Sequence, residues 1–168
     1  TLTTEKAVQL FEKFHIFTRA ELESREEIIY ETYAKSINIE ALTMIDMASK
    51  QIIPAVVKYS QKLAKTVLDV KAAGVEPVVQ SELLAKVNSK LTEMKEALSV
   101  LEKEEAAASA MEDVKAQSFR YKDVVIPAMD ALRAPADELE MMVDKADWPF
   151  PTYGDLTVSY THLTLPTT

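Results

Sequence analysis

The chain has 168 residues with two histidines, His15 and His162, and no cysteine, which leaves few side chains able to do chemistry. "EKFH" at residues 12–15 has the Glu-x-x-His spacing that puts a carboxylate and an imidazole on one helix face, as in di-iron bundles. Those centres need a second such motif and further inward glutamates. A single copy at a helix end is expected to be structural. The pairs Glu26/Glu27 and Glu104/Glu105 lie in charge-rich stretches and read as solvated faces. Thr18 and Ser109 have no histidine base placed to activate them, so they read as helix caps rather than nucleophiles. Without cysteine there is no disulfide, thiol catalysis or thiolate metal site. Two glycines cannot form a glycine-rich phosphate cradle. No catalytic, cofactor-binding or metal-binding residue is assigned.

Composition narrows the class further. A net charge of −8 argues against a nucleic-acid surface, which needs clustered Lys and Arg. Apolar runs such as "IIPAVV" are far too short to cross a bilayer, and no signal peptide opens the chain. The sequence starts without Met, in mid-pattern at "TLTTEKAVQLFEKF", as a piece of a longer protein would. The lack of cysteine fits a cytoplasmic protein.

The elements that must position any function are helices. From Ile29, apolar residues fall at Tyr33, Ile37, Ala41, Ile45, Ala48, Ile52, Val56, Tyr59, Leu63 and Val67, one stripe on a helix. Thr18 with Glu21 forms a capping box at its start, and Gly74 ends it. A helix from about residue 19 to 73 would be about 80 Å long at its standard rise. Pro77 suits the first turn of a second helix, predicted to run to about residue 107. Its seam is Leu84, Val87, Leu91, Met94, Leu98 and Leu101. Ser109 with Glu112 reads as the capping box of a third helix, with a stripe from Met111 through Val114, Ser118, Tyr121, Val125, Met129, Leu132, Ala136, Leu139 and Val143. "IIPA" at 52–55 and "VIPA" at 125–128 put Pro54 and Pro127 inside helices, each expected to kink its helix at a similar distance from the end.

The expected fold is therefore all-α, an elongated antiparallel three-helix bundle with long proline-kinked helices plus a short N-terminal helix. Residues 1–17 form the short helix and link, 18–147 the bundle, 148–156 a strap and 157–168 a tail. The first helix outruns its partners near residues 20–45, which leaves apolar surface for another domain or subunit. The strap, "WPFPTYGDL", offers Trp148, Phe150 and Tyr153 as rigid aromatic anchors for an interface, or as a cap on the end of the bundle.

Five segments, "FTRAELESREEI", "SINIEALTMIDMA", "IIPAVVKY", "VIPAMDALRAPADELE" and "VDKADWPFPTYGDL", together resemble the carboxy-terminal region of type III glutamine synthetase. The resemblance runs from about residue 5 to 156. It implies a parent ligase that joins ammonia to glutamate with ATP and Mg2+ or Mn2+, in a large cytoplasmic oligomer. Family catalytic residues lie upstream of this region, so none is carried over and no cofactor is expected in the segment itself. The implied partners are the catalytic domain of the same chain and neighbouring subunits, with no nucleic acid and no membrane. The segment alone is expected to be inactive. Residues 157–168, "TVSYTHLTLPTT", depart from the family and are similar to translated adapter sequence; they are expected to be non-native, which removes His162 from any mechanism. The competing reading is a stand-alone, coiled-coil-like interaction module.

Overall fold

Steps of three and four between apolar residues build the helices of a computed structural model that describes residues 2–151 and 154–155. In order they are α1 (Glu5–Lys13), α2 (Arg19–Met47), a π-helical turn π1 (Ala48–Ile52), α3 (Ile53–Ala72), α4 (Val78–Ser109), α5 (Val114–Arg120), a second π-helical turn π2 (Tyr121–Val125) and α6 (Ile126–Met142). No strand occurs among the described residues. The fold is an all-α helical bundle. Tyr153 and the whole of residues 157–168 lie outside the described residues.

Helix ends follow the capping chemistry of the sequence, with one correction. The Thr18 N–H donates to Glu21 Oε2 at 2.8 Å, and the Glu21 N–H returns to Thr18 Oγ1 at 3.4 Å. At the end of α3, Gly74 has φ +83°. The Gly74 N–H reaches Lys71 O and the Val75 N–H reaches Val70 O, the two bonds of a Schellman cap. The expected Ser109–Glu112 box does not form. α4 continues through Ser109, and Asp113 caps α5 by accepting from the Ala116 N–H at 2.8 Å. A carboxylate accepts from the N–H three residues on as readily as a hydroxyl does, so the true start falls four residues later. His15 takes the left-handed position after α1, φ 54°, with the His15 N–H on Glu12 O and the Ile16 N–H on Phe11 O. It therefore occupies a glycine-type cap position.

Pro54 and Pro127 each sit two residues beyond a π turn. The Ile53 N–H donates to Ala48 O, and the Ile126 N–H donates to Tyr121 O, each a five-residue step. Pro54 and Pro127 follow directly. A proline ring collides with the carbonyl four residues back and has no N–H to give it; a wider preceding turn moves that carbonyl aside. Pro135 is a third proline, inside α6.

The chain divides into two compact units. The first combines residues 1–44 and 100–130. Its buried residues include Val8, Leu22, Ala34, Ala41, Leu101, Ala108, Tyr121 and Val125. Arg19 pairs with Glu5 at 2.8 Å and Thr3 donates to Glu26, joining α1 and the residues before it to α2. Here the expected stripe starts one position off: Ile29 is 55% exposed, while Leu22 and Ala34 are buried. Of the described residues, the second unit combines 45–99 with 131–151 and 154–155. It buries Ala48, Ile52, Val56, Val87, Met94, Leu98, Leu132, Leu139 and Val143, all stripe positions.

The two left-handed caps predict opposite responses. Gly74→Ala, at a positive φ with open space around the new methyl, should destabilise by about 1 kcal/mol. His15→Gly should stabilise by about 0.5–1 kcal/mol by removing left-handed strain. Thermal unfolding of both variants beside the parent checks the signs.

Candidate functional site

The strap begins where α6 stops. The Asp144 carboxylate accepts from the Ala146 N–H at 2.8 Å, and its carbonyl accepts from the N–H groups of Asp147 and Trp148 at 2.8 and 3.0 Å. This tight turn fixes the position of Asp147. Its carboxylate meets Lys62 Nζ at 2.8 and 2.5 Å, and Lys58 Nζ lies 3.4 Å away. Lys58 and Lys62 are one helical turn apart on α3, so both ammonium groups reach the same carboxylate. The Asp147 side chain is 1% exposed, whereas the two lysines keep 66% and 55%. The hydrogen bond from Lys62 is the main cause holding the Asp147 carboxyl below the usual aspartate range, helped by Lys58 and opposed by burial. Nearby, burial first, and the charges of Asp144 and Asp147 second, push the Tyr59 phenol up. Lys145 pairs with Asp155 and ties down the far side of the segment.

Of the three aromatic anchors expected from the sequence, Trp148 and Phe150 are half-buried, and Tyr153 is outside the described residues. Trp148 follows the clamped carboxylate directly, so the ion pairs set where the aromatic residues begin. Sequence reading missed this clamp. Lys58 and Lys62 are visibly one turn apart, but nothing local links them to an aspartate 85 residues away.

A second polar group lies in the first unit. Asn38 Nδ2 donates to Glu105 Oε1 at 2.8 Å and to the Tyr121 hydroxyl at 2.7 Å. Glu105, expected on a solvated face, is instead buried, and Tyr121 is 1% exposed. The reason is periodic: Leu98, Leu101, Glu105 and Ala108 continue the 3-4 seam of α4, so Glu105 points inward. Glu104, also expected on a solvated face, pairs with Arg120.

The first unit also carries an acidic cleft of about 510 Å³ bordered by Glu23, Glu26, Glu27, Glu112 and Asp113, with Lys115 beside them. Two of these carboxylates already have local work. Asp113 caps α5, and Glu26 accepts from Thr3 and, at 3.5 Å, from Tyr30. Among the described residues no group of three or more Asp, Glu or His side chains is placed to hold a metal ion. His15 serves the α1 cap. No helix among the described residues is long and apolar enough to cross a membrane.

The geometry thus defines a helical module whose polar groups organise helices and one clamped aromatic segment. Residues 1–71 match the glutamine synthetase C-terminal domain family. Similarity extends well beyond residue 71. The chain is 33% identical over 158 residues to a glutamine synthetase of Butyrivibrio fibrisolvens, covering 93% of this chain and 23% of that protein. It is 30% identical over 166 residues to the type-3 glutamine synthetase of Dictyostelium discoideum, covering 92% and 22%. A glutamine synthetase of Bacteroides fragilis (strain YCH46) is 27% identical over 147 residues, covering 84% and 20%. The chain therefore spans less than a quarter of the length of the curated relatives it matches.

The clamp predicts a pH response with a definite sign. Because the folded-state value of Asp147 is lowered, its contribution is full above the ordinary aspartate range and is lost as pH falls through the lowered value. Trp148 is the only tryptophan, so its fluorescence reports on the strap. Acid titration should show a transition below the ordinary aspartate pKa of about 3.9. Asp147→Asn should remove that transition and give, at neutral pH, the emission that the parent shows in acid.

Proposed function

We propose that this chain is the non-catalytic C-terminal domain of a type III glutamine synthetase, supplying contacts to the catalytic domain and to neighbouring subunits. The observation that carries the proposal is similarity to glutamine synthetases along nearly the whole chain, matched to less than a quarter of their length. In the parent enzyme, ammonia would be ligated to glutamate with ATP and Mg2+ or Mn2+ in the cytoplasm. The described residues do not fit a nucleotide–metal centre. They offer neither three converging metal ligands nor a phosphate-cradling loop, so no step of that reaction is routed through them.

The contact role is supported by the chemistry of the strap. Trp148 and Phe150 present large, stiff, half-exposed aromatic surfaces at small entropic cost, and Asp147 holds their base to α3. Tyr153, outside the described residues, is proposed for the same interface from its sequence alone. A second source of contact area is the outer face of α2, where Ile28, Ile39 and Leu42 remain exposed.

In the full-length parent, Trp148→Ala together with Phe150→Ala should shift the assembly towards smaller species in analytical ultracentrifugation. Far-UV circular dichroism of the 168-residue chain should stay unchanged. An intact assembly, or loss of helix in the isolated chain, would assign the aromatics to capping the bundle instead. The purified chain alone should form no glutamine from glutamate, ammonia, ATP and metal.

A further inference from the structure

Part of the interior of the first unit is built from small side chains. Ala34 and Ala41 of α2 lie seven residues apart and are buried, and they are joined in the interior by Ala108 of α4 and Ser118 of α5. Small knobs define a helix setting poorly, because a rotated or displaced helix loses few van der Waals contacts. Among these small residues sits one three-way polar contact. Asn38 comes from α2, Glu105 from α4 and Tyr121 from π2, and the two hydrogen bonds join residues 67 and 83 apart in sequence. Glu105 is 8% exposed and Tyr121 is 1% exposed, while Asn38, the shared donor, is half-buried beside an open pocket.

Any change of setting breaks this contact, as well as displacing the larger buried residues Leu22, Leu101 and Val125. Turning one helix by a single residue, or sliding it by one turn of about 5.4 Å, separates the carboxylate from its amide donor. A buried carboxylate without its donor is heavily penalised, whereas a displaced alanine is not. We infer that the Asn38–Glu105–Tyr121 triad is a register lock: it selects one mutual setting of three helices in the first unit and contributes little to their net stability. Apolar residues of similar size at these positions would pack at least as favourably, but would accept several settings.

The test uses the 168-residue chain and the variant Asn38→Leu/Glu105→Leu/Tyr121→Phe, with the parent and Glu105→Gln alongside. Far-UV circular dichroism and thermal melting report helix content and stability. The amide proton–nitrogen NMR spectrum reports the number of settings. The triple variant should keep the parent's helicity and melt within about 5 °C of it or higher, while residues of the first unit give two or more sets of amide signals or broaden. Glu105→Gln keeps an acceptor for Asn38 and should give one set. A single, parent-like set in the triple variant overturns the inference. So does loss of helicity in that variant, which would make the triad a source of stability. Multiple sets in Glu105→Gln would also overturn it.

Discussion

Every described element here answers to one constraint: a long helix with an apolar stripe must keep that stripe out of water. Helix propensity alone leaves even long segments marginal, so burial of one face supplies the stability. The 3-4 spacing of Val87, Met94, Leu98 and Leu101 on α4 meets that demand, and all four are completely buried. Charged residues occupy the other faces. Exposed pairs such as Lys35 with Glu31 and Arg133 with Asp137 add little more than solubility.

Departures from the simple stripe have physical causes. The π turns before Pro54 and Pro127 let each helix continue through a residue that would otherwise break it. Glu105 occupies a seam position that a leucine would suit by pattern. Its burial is tolerated because Asn38 donates to it, and the same amide holds Tyr121. Asp147 is the other deeply buried carboxylate with named partners, and it does a different job. Two lysines from α3 surround it, so the chain leaving α6 is held at a defined point before its aromatic residues begin. In both places a charge is buried only where geometry provides donors.

Legibility in the sequence follows the range of the interactions. Local, periodic features were readable: the all-α class, the α2 capping box, the Gly74 stop and most seam positions of α3, α4 and α6. The α2 stripe before Ile37 is one position off because Ile29 looks like a core residue while the smaller Ala34 does the packing. Ser109 and Asp113 are both good cap residues, and only the continuation of α4 decides between them. The π turns left no pattern distinct from an ordinary proline kink. The inward orientation of Glu105 was recoverable by extending the seam past Leu101, but its charge suggested solvent. The Asp147 clamp was not recoverable, since it depends on tertiary approach of segments remote in sequence. For the candidate interface, the sequence showed which side chains are aromatic; only coordinates show what anchors the segment that bears them.

If burial of the seams governs this protein, the same chemical deletion must have very different effects at buried and exposed sites. Leu98 is 0% exposed and Leu68 is 67% exposed. Urea unfolding of Leu98→Ala and Leu68→Ala in the 168-residue chain compares them directly. Leu98→Ala should lower the unfolding free energy by about 2–5 kcal/mol, and Leu68→Ala by no more than about 0.5 kcal/mol. Equal losses at the two positions would contradict the account.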